Sequence, residues 1–157
     1  VQLQKELYLR AVVPDYVWEI IYDLPRETHP LTMLSMAILS LEGTSFFKEK
    51  YAAGLRKADY WEATLYDALE LLAKLPILAA GIYRIRFSKG ELIPYDPKLD
   101  WAGNFTNMLG IPDPDGNFAK LVRLYLVLHA DHEGGNVSAF SAKVVNSSLS
   151  NLYYAVS

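Results

Sequence analysis

The stretch FAKLVRLYLVLHADHEGGNVS, at residues 118–138, decides the fold predicted for this chain. Its first part, residues 118–128, is made of leucine, valine, tyrosine, phenylalanine and alanine, and only Lys120 and Arg123 carry charge. A helix of this composition is apolar nearly all round, and such helices are typically buried. The sequence therefore predicts a buried helix at residues 118–128.

Polar side chains gather where that helix is predicted to end. His129 and His132 are three residues apart, so on a continuing helix they would share one face and could point at one ligand. The glycine pair at 134–135 allows backbone conformations that end a helix and lets a ligand approach closely. Asn136 or Ser138 is suited to cap a following helix. The segment predicts two helices joined by a tight corner that carries imidazole and amide groups.

Helical spacing of apolar residues recurs along most of the remaining chain. Residues 59–86 form the longest such stretch, in which Pro76 is expected to kink the helix or split it in two. Residues 88–98 contain glycine and proline breakers and are predicted to be a loop. Asp100 is predicted to cap a short helix that Gly110 ends. No sustained alternation of period two occurs, so the predicted fold class is all-α.

Three further boundaries follow from the same signals. Residues 1–10 have no clear pattern and are expected to be a short lead-in. Thr28 is predicted to cap the helix that begins near Pro30. Residues 138–157 keep helical spacing and predict one helix that the end of the chain interrupts.

Composition sets limits on the function. The chain has 157 residues, 52% of them hydrophobic and 21% charged, as expected of one globular domain rather than a disordered segment. Its net charge is −3 with both signs mixed, so we expect neither nucleic-acid binding nor attachment to an anionic membrane. It has no cysteine, which excludes disulfides, thiolate metal sites and a cysteine nucleophile.

Several motifs resemble those of one enzyme family. Residues 129–138 are similar to the DHEGGN segment of eukaryotic-type citrate synthases, and LDW at 99–101 and NFTNMLG at 104–110 also resemble that family. Shorter matches occur in the same order from about residue 13 to residue 157. Ala130 and Phe140 depart from the family pattern, which has serine and histidine there. Both departures lie outside the His-Glu-Gly-Gly-Asn run.

The resemblance implies a fold and a reaction. It implies that residues 1–157 are part of the multi-helical large domain of a citrate synthase, truncated, from an enzyme that is a homodimer. That enzyme is an acyltransferase of the tricarboxylic acid cycle, which condenses acetyl-CoA with oxaloacetate to give citrate and CoA. Acetyl-CoA is a substrate, and no cofactor is expected. The compartment would be the mitochondrial matrix in a eukaryote or the cytoplasm in a bacterium.

The resemblance also implies roles for individual residues. His132 corresponds to the family's histidine that hydrogen-bonds oxaloacetate, and an imidazole can donate to a carboxylate. Asn136 is the second expected substrate-binding residue. Ser138 is the expected hydrogen-bond partner of a catalytic histidine from elsewhere in the protein. Asparagine and serine at these positions are also what helix capping alone favours, so both interpretations stay open.

Three more residues are expected to support the site without chemistry of their own. His129 corresponds to the first histidine of the motif and is expected to be a buried, hydrogen-bonded group. Gly134 and Gly135 are expected to shape the backbone. The family's catalytic histidine and aspartate would lie beyond Ser157, so no catalytic residue is assigned and the fragment alone is expected to be inactive.

The residues leave other interpretations to consider. His129, His132 and Glu133 include the residue types of a zinc site, but zinc hydrolases need His-Glu-x-x-His or His-x-x-Glu-His spacing, so no metal is expected. A 2-methylcitrate synthase, which uses propionyl-CoA, would share this scaffold. A non-catalytic helical module on the same scaffold is the alternative from another functional class.

Overall fold

The computed structural model describes residues 2–130 and 136–157, and within them every regular element is a helix. This confirms the all-α prediction. Two short 3-10 turns, Leu41–Thr44 and Lys57–Asp59, precede α4 and α5. The α-helices of the described ranges are α1 (Gln2–Arg10), α2 (Asp15–Asp23), α3 (Pro30–Ser40), α4 (Phe46–Ala52), α5 (Tyr60–Arg86), α6 (Trp101–Leu109), α7 (Asn117–His129), α8 (Val137–Ser147) and α9 (Leu152–Val156).

Three predicted boundaries were wrong. Residues 2–10 form α1, which buries Leu7, rather than an unpatterned lead-in. The cap of α3 is His29, whose Nδ1 accepts from the backbone N–H of Leu31 at 3.2 Å, and not Thr28. A residue before proline disfavours the helical region, so α3 begins at Pro30 with its cap directly before it. Residues 137–156 form two helices instead of one, with Leu149 between them at φ 62°.

Helix α5 is the central element of the fold. It packs against α1, α3, α4 and α6. It runs as one helix of 27 residues with Pro76 inside it, so the predicted split does not occur. Proline removes one N–H donor from a helix and crowds the preceding turn. Pro76 is fully buried, and contacts along both halves of α5 hold the helix together across it.

The hydrophobic core lies where α2, α3, α5 and α9 meet. Val17, Leu41, Leu78 and Tyr153 are each at most 1% exposed there. Complete burial of one such apolar side chain contributes about 1.5–3 kcal/mol to folding. The amphipathic spacing of α2 and α3 in the sequence thus corresponds to their faces in this core.

Helix α7 is not buried, which corrects the prediction made from its composition. None of its residues is buried; Leu121 is 62% exposed and Leu128 is 67% exposed. Helix α8 likewise buries no residue, and Phe140 on it is 62% exposed. Within the described part of the chain α7 packs chiefly against α6, which covers only one side of it. A helix that is apolar all round needs several neighbouring elements to bury its surface. Its composition does not show that those elements belong to the same chain.

One stretch of the described residues, Pro30–Ala52, is long and apolar enough to meet a compositional test for a membrane span. It consists of α3, a 3-10 turn and α4 rather than one continuous helix. Its side chains Met33, Ala37 and Leu41 are buried in the core. These three side chains belong to the hydrophobic core, whereas Leu31 and Leu39 of the same stretch are 67% and 40% exposed.

Glu70 on α5 accepts hydrogen bonds from two cations. Arg10 Nη1 donates to its carboxylate at 2.7 Å, and Lys74 Nζ donates to the other oxygen. Lys74 is only 7% exposed at its side chain. Burial raises the pKa of the Glu70 carboxyl, but the hydrogen bonds from Lys74 and Arg10 outweigh this effect, so the pKa lies below its ordinary value.

Replacing Glu70 by glutamine is expected to lower the free energy of unfolding at neutral pH by about 2 kcal/mol, because Lys74 loses its charged partner. A carboxyl whose folded-state pKa is depressed stabilises the fold above its unfolded pKa of about 4.3, and this stabilisation is lost as the pH falls through the folded pKa. The difference between wild type and E70Q should therefore shrink below about pH 4 in urea unfolding.

The matched control is E62Q, which changes an exposed carboxylate on the same helix and should alter stability by less than about 0.5 kcal/mol. A difference between wild type and E70Q that stays constant on acidification would contradict the assigned role of Glu70.

Candidate functional site

The C-terminal end of α7 carries the first candidate residue, His129. Its side chain is exposed, which corrects the expectation of a buried histidine. Nδ1 lies 2.8 Å from the carbonyl oxygen of Tyr125, so Nδ1 carries the proton and donates to it. The imidazole stacks on the Tyr125 ring with the centroids 3.9 Å apart. The ring of His129 thus interacts with the preceding turn of its own helix.

The next candidate residues fall outside the described residues. His132, Gly134 and Gly135 lie within residues 131–135, so their roles stay predictions. The described structure resumes at Asn136, directly before α8.

Asn136 is the N-cap of α8. Its Oδ1 accepts from the backbone N–H of Ala139 at 3.1 Å, and its carbonyl oxygen accepts from the N–H of Phe140 at 2.9 Å. Ser138 lies in the first turn of α8 and is exposed. Of the two capping residues that the sequence left open, Asn136 is the one used. The expected contacts of Asn136 with substrate and of Ser138 with a catalytic histidine stay predictions.

The start of α8 gives Asn136 a defined electrostatic setting. Helix α7 ends at His129, and α8 begins at Val137. The N-terminus of an α-helix carries partial positive charge and N–H groups without helical acceptors. The N-terminus of α8, which has 11 residues, therefore favours an anion near Asn136.

In the NFTNMLG segment, Asn104 supports a loop rather than facing solvent. Asn104 is fully buried in α6. Its Oδ1 accepts from the N–H of Asp96 at 2.7 Å, and its Nδ2 donates to the carbonyl oxygens of Asp96 and Leu99 at 2.9 and 3.0 Å. This one amide fixes the end of the loop that precedes α6.

Asp100 joins α6 to α7. Its Oδ1 accepts from the N–H of Gly103 at 2.7 Å and so caps α6, as the sequence predicted. Arg123 on α7 donates to both carboxylate oxygens, at 2.5 and 2.9 Å. The hydrogen bonds from Arg123 hold the pKa of the Asp100 carboxyl below its usual range. The pair sets the position of α7 on α6.

Arg84 is a buried residue whose role the sequence did not reveal. Its guanidinium donates to the carbonyl oxygens of Lys89, Glu91 and Leu109 at 2.5, 2.7 and 3.0 Å. These carbonyls belong to the loop after α5 and to the end of α6. Gly110, at φ 72°, lies against the same guanidinium, where a Cβ atom would overlap Nη1. Arg84 therefore fixes the connection between α5 and α6.

An apolar cleft of about 450 Å³ lies between α1, α6 and α7 and reaches Ala130, next to the candidate segment. Charged groups at the cleft are Asp100 and Arg123, which pair with each other. Within residues 2–130 and 136–157, no three His, Cys, Asp or Glu side chains come together as metal ligands. The apolar residues that line the cleft are Leu3, Leu7, Trp101, Ala102, Leu126 and Val127.

Comparison with known proteins gives consistent results. The family model described as "Citrate synthase, C-terminal domain" matches residues 1–157. Citrate synthase, mitochondrial, from Citrus maxima is 45% identical over 96% of this chain and 32% of the relative. The peroxisomal citrate synthase of Saccharomyces cerevisiae is 44% identical over 98% of this chain and 33% of the relative.

Solved structures agree with the sequence relatives. The crystal structure of citrate synthase from Pyrobaculum aerophilum superposes with a TM-score of 0.84 at 31% identity, over 99% of this chain and 38% of that one. The chain spans about a third of the length of the curated relatives that it matches.

Proposed function

We propose, since this chain belongs to the citrate synthase family, that it is part of an enzyme that condenses acetyl-CoA with oxaloacetate to give citrate and CoA. The observation that carries the proposal is the match of the family model to residues 1–157, which include the His-Glu-Gly-Gly-Asn run. We place residues 1–157 within the large domain of that enzyme. This activity is that of an acyltransferase and needs no cofactor besides its substrates.

In this proposal the segment between α7 and α8 binds oxaloacetate. His132 donates a hydrogen bond to the substrate, and Asn136 binds it from the start of α8. The partial positive charge at the N-terminus of α8 supports this assignment, because oxaloacetate is a dianion at neutral pH. Ser138 orients a catalytic histidine from elsewhere in the protein. Gly134 and Gly135 shape the backbone, and His129 takes no chemical part.

The reaction requires proton transfer from the thioester substrate and stabilisation of the oxyanions that develop. The family's catalytic histidine and aspartate correspond to no residue among 1–157. Residues 1–157 alone are therefore expected not to turn over.

We further propose that the whole enzyme is a homodimer and that α7 and α8 contribute to the contact. Leu124, Val127 and Leu128 on α7 are each more than half exposed, as are Val137 and Phe140 on α8. Large apolar side chains that are exposed together on one helix are typical of an interaction site. A second subunit would supply the burial that the composition of α7 predicts.

The alternatives receive no support from the comparisons. The relatives compared above are citrate synthases. The relatives include mitochondrial and peroxisomal proteins. We propose the mitochondrial matrix for this protein in a eukaryotic cell and the cytoplasm in a bacterial one.

The decisive experiment measures release of the CoA thiol by the whole protein from acetyl-CoA, with and without oxaloacetate. Thiol release that depends on oxaloacetate and gives citrate is the expected result. Propionyl-CoA is assayed in parallel, and a higher kcat/KM with propionyl-CoA would favour the methylcitrate reaction. A folded protein that releases no thiol from either substrate would overturn the proposed function.

A further inference from the structure

A buried carboxylate on α5 joins three helices. Asp67 is 1% exposed and lies at the N-terminus of α4. Its Oδ1 accepts from the backbone N–H of Phe46 at 2.8 Å. Its Oδ2 accepts from the hydroxyl of Ser45 at 2.6 Å and from the N–H of Phe47 at 3.1 Å. Both carboxylate oxygens therefore act as acceptors for α4.

The Ser45 hydroxyl connects Asp67 to Asn151, the residue before α9. A hydroxyl has one proton and two lone pairs, and the proton of Ser45 is given to Asp67. Its oxygen then accepts from the N–H of Lys48 at 3.1 Å and from Nδ2 of Asn151 at 3.0 Å. Because Ser45 can only accept from Asn151, the amide of Asn151 must present its NH2 group to Ser45.

This orientation leaves the other end of the Asn151 amide to cap α9. Its Oδ1 accepts from the backbone N–H of Tyr153 at 2.9 Å. Tyr153 is 1% exposed and packs in the core, where α9 contacts α3 and α5. The carboxylate thus determines the direction of the hydrogen bonds that run from Asp67 through Ser45 and Asn151 to the N–H of Tyr153.

Helix α8 depends on α9 for its position. It has no buried residue, and its extensive contacts are with α9. The connection between them contains Leu149 in the left-handed region, at φ 62°. Anything that fixes the start of α9 therefore also fixes α8 and Asn136 at its N-terminus.

We propose that Asp67 is a positioning residue for substrate binding, which acts through Ser45 and Asn151 on α9 and, through α9, on α8. The inference rests on the proposed function, because Asn136 at the N-terminus of α8 is assigned to oxaloacetate binding. Asp67 itself does not contact the substrate in this proposal. Its effect is to place the N-terminus of α8.

The test compares D67N and S45A in the whole protein. An amide at position 67 places an NH2 group against donors, so one backbone N–H or the Ser45 hydroxyl loses its acceptor. The S45A variant keeps the Asp67 carboxylate and its bonds to the N–H groups of Phe46 and Phe47. It removes the hydroxyl that bonds Asp67, the N–H of Lys48 and the amide of Asn151. Both variants should raise KM for oxaloacetate about tenfold, which corresponds to the loss of one well-placed hydrogen bond to a charged group. The kcat at saturating oxaloacetate should stay within about twofold of wild type.

The controls separate positioning from general stability. S45T keeps the hydroxyl and should restore KM to near the wild-type value, whereas E62Q changes an exposed carboxylate of α5 and should have no effect. If D67N does not fold, the KM values of S45A and S45T for oxaloacetate test the inference without it. An active wild type with an unchanged oxaloacetate KM in S45A would overturn this inference alone. An inactive wild type would overturn the proposed function on which it rests.

Discussion

Replacing His132 by alanine in the whole protein is expected to lower kcat/KM for oxaloacetate by about 100-fold. A hydrogen bond between an imidazole and a charged substrate group contributes about 1.5–3 kcal/mol, and each 1.4 kcal/mol corresponds to about a factor of ten. Because the bond is proposed to form with oxaloacetate, KM for oxaloacetate should rise. Steady-state assays of CoA thiol release, with oxaloacetate as the varied substrate, measure the effect.

The control for H132A removes another imidazole without disturbing the fold. His29 caps α3 through Nδ1, and asparagine can cap a helix equally well, so H29N should keep wild-type kinetics. A His132 variant that folds and retains kcat/KM for oxaloacetate within about twofold of wild type would contradict the assignment of His132 to the substrate.

The largest effect on stability is expected at Arg84. Methionine has a similar length but no hydrogen-bond donor, so R84M would leave the carbonyl oxygens of Lys89, Glu91 and Leu109 without their donor. Each unsatisfied buried group costs about 1–3 kcal/mol, and water can reach some of them after relaxation. We expect the free energy of unfolding to fall by about 4 kcal/mol in urea denaturation.

A matched substitution is available on the same side of the molecule. Arg26 is exposed and donates to the Ser88 hydroxyl, so R26M should change the free energy of unfolding by less than about 1 kcal/mol. If R84M were as stable as R26M, the three carbonyl contacts would not be what holds the connection between α5 and α6.

Local signals in the sequence predicted local structure well. Asp100 caps α6 and Gly110 ends it in the left-handed conformation, as expected, because a cap and a stop depend on residues within one turn. The break between α8 and α9 was missed, because Leu149 adopts positive φ although leucine rarely does. No glycine marks that position.

Contacts between distant residues could not be predicted in the same way. The partners of Arg84 and Asp67 lie on other elements, and nothing in the residue types indicates them. The exposure of α7 was missed because composition indicates how much apolar surface a helix has, but not which chain covers it. The family resemblance supplied the roles of His132 and Asn136, which composition and spacing alone left open.

The proline inside α5 has a consequence for how two helices are aligned. The helical donor for the carbonyl oxygen of Leu72 would be the N–H of residue 76, which proline lacks. The indole Nε1 of Trp101 in α6 donates to this same carbonyl at 3.0 Å. Pro76 thus provides a specific acceptor on the side of α5, and Trp101 uses it to fix the axial register of α6. A residue with an N–H in place of the proline would compete with Trp101 for this carbonyl and so weaken the preference for one register.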